Sequence, residues 1–92
     1  MIKSFADKQT SDLFETGQSR RWNSFARVAI RKLVQIDSVA TLEDLNTPPG
    51  NRPEALRGDR VGQHSIRING QWRICFRWET DGVHEVEIVD YH

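Results

Sequence analysis

Apolar residues at Trp22, Phe25, Ala29, Leu33 and Ile36 recur three or four positions apart. That spacing gathers side chains on one face of a helix, and Ala26 and Ile30 widen the stripe. Arg20, Ser24, Arg27 and Arg31 form a separate polar stripe on the same segment. Upstream, "ADKQTSDLFETG" reads as a shorter helix with Leu13 and Phe14 turned inward and Gly17 as its stop. Before it, "MIKSF" alternates loosely and fits a short strand. The stretch "TLEDLNTPPGNRPEA" breaks the helical period with three prolines and a glycine, so it is an irregular crossing or a single helical turn.

From Leu56 onward the chain alternates with period two, interrupted by "RGDRVG", "NG" and "TDG". A two-residue loop at Asn69-Gly70 would oppose Ile66 to Arg73 and Arg67 to Trp72, mixing polar and apolar on both faces. A three-residue loop, Asn69 to Gln71, sets Ile68 against Trp72, Ile66 against Ile74 and His64 against Phe76. The buried face decides register, so the longer loop is expected. Continuing the alternation pairs Phe76 with Val86 and Ile74 with Ile88. The other face then carries Arg77 against Glu85, Cys75 against Glu87, and Arg67 against Arg73. Like charges directly opposed across a sheet are destabilising, so the Arg67–Arg73 pair is a candidate anion site; the plainer reading is two side chains snorkelling into water. His64 falls on the core face and is expected to be structural, while His84 lies beside a turn and is expected in solvent. The result is a strand, two helices and an antiparallel sheet with one face covered, an α+β fold.

Ninety-two residues make one domain, residues 1–92. A hydrophobic content of 37% and a charged content of 28% are ordinary for a water-soluble chain. The N-terminus lacks the apolar core of a signal peptide, so a cytoplasmic location is expected. The one cysteine, Cys75, builds no disulfide framework and no metal cage, and no metal-binding motif appears. Net charge is zero, yet Arg20, Arg21, Arg27, Arg31 and Lys32 lie between Gly17 and Ile36 with no acid among them. Ten of the thirteen basic residues are arginine, the residue suited to forked phosphate contacts. A solvated helix face is the competing explanation for that run.

The run "PPGNRPEALRGDRVGQHSIRINGQWRICFRW", followed by "VEIVDYH", resembles the HigB toxins of type II toxin–antitoxin systems, within the RelE/ParE superfamily. GraT-like members share the "PPGNR.EAL" segment. The resemblance implies a RelE-like compact microbial ribonuclease fold, with an N-terminal strand and two helices packed on one face of a twisted antiparallel sheet. It also implies a ribosome-dependent endoribonuclease acting on messenger RNA without a cofactor. A HigA-type antitoxin with a helix-turn-helix domain would neutralise it, and operator DNA would be met only through that complex. The residues carried over are Arg73, the C-terminal Asp90, Tyr91 and His92, and a basic residue at Arg57. Some members have His-Pro-Leu where this chain has Glu54-Ala55-Leu56, so that histidine role has no counterpart, and Glu54 is either a replacement base or a bystander.

Cleavage by a substrate's own 2′-hydroxyl needs a base, positive charge at phosphorus and an acid for the 5′-oxygen. Arg73 fits the second role, because its guanidinium forks onto two phosphate oxygens. His92 is the natural proton shuttle, with Asp90 as base or as the group that orients it. Tyr91 either stacks on a base or seals the sheet edge. Arg57 assists, and Arg67 with Arg20, Arg21, Arg27 and Arg31 hold the RNA backbone or the ribosome. One geometric condition applies. A regular strand through Asp90 would aim that carboxylate at Trp72, on the core side, so convergence requires the strand to end or twist near Val89. Two other readings stand beside this one: a gyrase poison like the ParE branch, and a non-catalytic co-repressor module.

Overall fold

In the computed structural model of the chain, residues 1–90 are described. Helix α1 spans Lys8–Thr16. Asp7 caps its start by accepting from the Thr10 amide, and Gly17, in the left-handed region at φ 75°, closes its end by donating to the Leu13 carbonyl. Helix α2 spans Ala26–Ser38, preceded by a 3-10 turn at Asn23–Phe25. The long periodic stripe is therefore split between two tighter and looser coils, with Trp22 just ahead of both. The proline-rich crossing contains two 3-10 turns, Leu42–Asn46 and Pro49–Asn51.

The sheet has four strands in the order β1 (Glu54–Ala55), β2 (His64–Arg67), β3 (Trp72–Glu79) and β4 (Gly82–Asp90). Strand β1 is a two-residue edge that alternation from Leu56 did not reveal. The first hairpin has the expected register: His64 faces Phe76, Ile66 faces Ile74 and Arg67 faces Arg73. Asn69 makes that loop by accepting from the Gln71 and Trp72 amides at 2.8 and 2.9 Å.

The second hairpin differs from expectation. Ile74 faces Ile88 and Cys75 faces Glu87, but the register then shifts, and Arg77 faces His84 rather than Glu85. Glu85 sits in the left-handed region at φ 53°, marking a bulge. The reason lies in the spacing of valines. Val83 and Val86 are both buried, yet three residues apart they would point to opposite faces of a regular strand. One extra residue restores both to the core. The Arg77–Glu85 ion pair survives the shift, at 2.5 Å.

The N-terminal segment bridges β4 in parallel, Ile2 with Val83 and Phe5 with Val86. Helix α1 docks beside it, where the Thr10 hydroxyl accepts from the Ile88 amide at 3.1 Å. Leu13, Trp22, Ala29, Leu33 and Ile36 meet Ile66, Ile74, Phe76, Val83, Val86 and Ile88 in one core. Both helices thus cover a single sheet face. Among the described residues no helix is long and apolar enough to cross a membrane.

Candidate functional site

On the sheet face away from the helices, Glu54, Ser65, Cys75 and Glu87 form one row across all four strands. Arg67, Arg73 and Val89 form the next row. Alternation along each strand places these residues on the side opposite Ile66, Ile74 and Ile88.

Arg73 occupies the centre of this face, but it is neither unpaired nor snorkelling. It is only 7% exposed. Its Nε donates to Ser65 Oγ at 2.8 Å, and Nη2 donates to the Arg52 carbonyl at 2.5 Å and to the Ser65 carbonyl at 3.4 Å. The Glu54 carboxylate lies 3.9 Å from Nη2. A buried guanidinium needs such acceptors, since a charge removed from water without partners is costly. The sequence did not single out Ser65 or the Arg52 carbonyl. Ser65 faces Cys75 and lies diagonal to Arg73, so opposed pairs alone do not bring it out, and a backbone carbonyl leaves no signal at all.

Arg67 stands opposite Arg73 and is half-buried. Arg57 is exposed at the start of a 3-10 turn, Gly58–Arg60, which folds over the face. From that turn Arg60 reaches Gln63 at 3.0 Å and Glu87 at 2.7 Å. Beneath it Cys75 is fully buried, and burial pushes its thiol pKa up from 9.0, with Arg60 opposing and Glu87 adding to the rise.

The arginines of the helical half lie elsewhere. Arg20, Arg21, Arg27 and Arg31 are all exposed. Arg21 donates to Gln9 at 2.6 Å and lies 5.1 Å over the Trp22 ring and 5.9 Å over Trp72. It ties the turn after α1 to the aromatic group of Trp22, Phe25 and Trp72.

Beyond the bulge at Glu85, strand β4 is regular through Asp90, which faces Trp72 across the ladder and accepts from Gln71 Nε2 at 3.1 Å. The break near Val89 that convergence required is absent, and Asp90 belongs to the helix-side face rather than to the face of Arg73. Tyr91 and His92 lie outside the described residues. His64 stacks on Phe76 at 6.2 Å, as a structural histidine should. His84, expected in solvent, is half-buried and bonded to Asp81 at 2.8 Å. Among the described residues no three His, Cys, Asp or Glu side chains cluster to hold a metal ion.

Two helices packed on one face of a short antiparallel sheet, with a tethered arginine at the centre of the other face, are the frame that this chain shares with a family of RelE-like toxins. The chain belongs to the family described as RelE-like toxin of type II toxin-antitoxin system HigB, which matches over residues 3–92. It is 37% identical to Toxin HigB-1 of Vibrio cholerae over 94 residues, covering 100% of this chain and 98% of that protein. It is 32% identical to Endoribonuclease HigB of Proteus vulgaris over 93 residues, covering 100% of both. Among solved structures it resembles a YoeB/ParE toxin from Agrobacterium tumefaciens, with a TM-score of 0.56, 21% identity and coverage of 98% and 99% of the two chains. That last likeness is one of fold.

Proposed function

We propose that the protein is an endoribonuclease that cuts messenger RNA in the ribosomal acceptor site through attack by the RNA's own 2′-hydroxyl. The observation that carries this reading is Arg73: a guanidinium locked by Ser65 and Arg52, with the Glu54 carboxylate 3.9 Å away. The relative named Endoribonuclease HigB supports the reaction class.

In this mechanism Glu54 takes the proton of the 2′-hydroxyl, and the freed oxygen bonds to the adjacent phosphorus. The phosphorane's charge falls on Arg73, whose donors are fixed in place before reaction and need no reorganisation. The bond from phosphorus to the 5′-oxygen breaks, and that oxygen takes a proton from His92. The products are a 2′,3′-cyclic phosphate and a free 5′-hydroxyl. Tyr91 stacks on a base beside the cut. Asp90, hydrogen-bonded to Gln71 on the far side of the sheet, does not act at phosphorus. Arg57 and Arg67 hold flanking phosphates, while Arg20, Arg27 and Arg31 face ribosomal RNA. Arg21, engaged with Gln9 and two tryptophans, contributes charge at the edge of that surface.

The partner that restrains the toxin is an antitoxin of the HigA type, and the pair works in the cytoplasm. Purified protein added to ribosomes carrying a defined message should leave cuts inside codons, and naked RNA should survive. An intact message on occupied ribosomes, with folding confirmed by circular dichroism, rejects the reading.

A further inference from the structure

The crossing between α2 and β1 wraps the edge of the sheet, and one polar side chain in it is wholly enclosed. Asn51 is 0% exposed. Its Oδ1 accepts from Lys32 Nζ at 2.6 Å. Its Nδ2 donates to Gln35 Oε1 at 2.9 Å, the Leu45 carbonyl at 3.1 Å and the Thr47 carbonyl at 3.3 Å. Lys32 and Gln35 both stand on α2, so Asn51 clamps the crossing to that helix.

Lys32 is an expensive residue to place there. It is 7% exposed, and its pKa is lowered first by burial and then by repulsion from Arg31 and Arg67. A hydrophobic side chain would fill the space without that cost, but it would fix no direction. A short bond from an ammonium to an amide oxygen does fix one. The next residue shows where the direction leads. Arg52 takes the left-handed region at φ 41° and turns its carbonyl onto Arg73 Nη2. A continuous path of hydrogen bonds and one peptide link therefore runs from α2, around the sheet edge, to the guanidinium on the opposite face.

We propose that Lys32 and Asn51 are positioning residues for Arg73, holding the Arg52 carbonyl so that the guanidinium is aimed before RNA arrives. This rests on the reading of Arg73 as the group that bears the phosphorane charge. Neither residue touches the reacting atoms. With Asn51 or Lys32 altered, the crossing keeps its prolines and its chain path, but the carbonyl loses its fixed aim.

The test uses the full chain with Asn51→Ala and Lys32→Met. Two quantities are read: hydrogen exchange by NMR of the Arg73 Nη2 protons, which meet the Arg52 carbonyl, and kcat and KM for cleavage on programmed ribosomes. The Nη2 protons should exchange about tenfold faster or more in both variants, while the amides of Ile74 and Ile88 keep their protection. In the same variants kcat should fall by about 10- to 100-fold with KM within about twofold, as expected of lost orientation. Asn51→Asp keeps an oxygen for Lys32 and should recover part of both losses. A merely structural clamp would lower the melting temperature and leave Arg73 exchange and kcat of the folded fraction unchanged; that result overturns the proposal. If Asn51→Ala does not fold, Lys32→Met and Asn51→Asp decide it. Should the wild type fail to cut RNA at all, the reaction assignment fails, and the exchange measurement still judges the tether.

Discussion

On the helix side of the sheet, Ile66, Ile74, Phe76 and Ile88 meet Leu13, Leu33 and Ile36, all buried and none hydrogen-bonded through a side chain. On the other side the same strands carry Ser65, Cys75 and Arg73, equally buried, and there Arg73 is held by Ser65 Oγ at 2.8 Å and by the Arg52 carbonyl at 2.5 Å. The first face is governed by volume, so residues of similar size and shape can trade places there. The second is governed by donor and acceptor geometry, where changing one group leaves another stranded. Local pattern reads the first kind of face well. It reads the second poorly, because partners such as the Arg52 carbonyl arrive from elements distant in sequence.

The largest effect expected is on the packed side. Phe76, fully buried and stacked with His64, should cost about 3–5 kcal/mol of stability when changed to Ala, read as a lower urea midpoint. Cleavage per folded molecule should change little. A tenfold drop in the turnover of the folded fraction would break the division of labour between the faces, since it would put the core into the reaction.

Next comes Arg73→Lys on the tethered side. Lysine keeps the charge but has no planar fork to meet Ser65, Arg52 and a phosphate together. Turnover should fall by about 10²–10³-fold, the loss typical of removing one preorganised donor to a developing charge. Single-turnover cleavage on programmed ribosomes measures it. Near wild-type turnover would mean that point charge alone suffices, and the comparison would then lose its geometric half.

Much of the fold was legible in the sequence, and the misses share a cause. The α1 stop, the three-residue loop and the Ile66–Ile74 and Ile74–Ile88 pairs follow from side-chain periodicity and turn chemistry. The bulge at Glu85 was hidden because strict alternation was assumed through it, although Val83 and Val86 already demanded a shift. Arg73 was found by position and misjudged in environment. Its opposition to Arg67 was visible, but Ser65, the crossing at Arg52 and the edge strand bearing Glu54 were not. Asp90 was expected at the reacting centre on condition that the strand breaks near Val89; the strand runs on instead, and Asp90 faces Trp72. Lys32 and Asn51 gave no signal, since a lysine on a helix and an asparagine after Pro-Gly both pass for surface residues.

The smallest effect tests whether the outer face is closed where it looks open. Cys75 lies in the outer row between Ser65 and Glu87, yet it is 0% exposed beneath the turn that carries Arg60. Its folded pKa is raised above 9.0, chiefly by burial. The sign follows from proton counts: below about pH 9 the thiol is protonated in both states and the full contribution to stability is present. As pH rises from there toward the folded value, the unfolded chain loses the proton first and stability falls, by at most about 1.4 kcal/mol per pH unit. The difference in unfolding free energy between wild type and Cys75→Ala should therefore be flat from pH 6 to 8 and narrow above pH 9. A maleimide probe at pH 7.5 should label Cys75 only as fast as the chain opens, and label it promptly in urea. Rapid labelling of the native protein would mean that the turn at Gly58–Arg60 does not cover the row, and that this side is an exposed charged surface rather than a second, polar core.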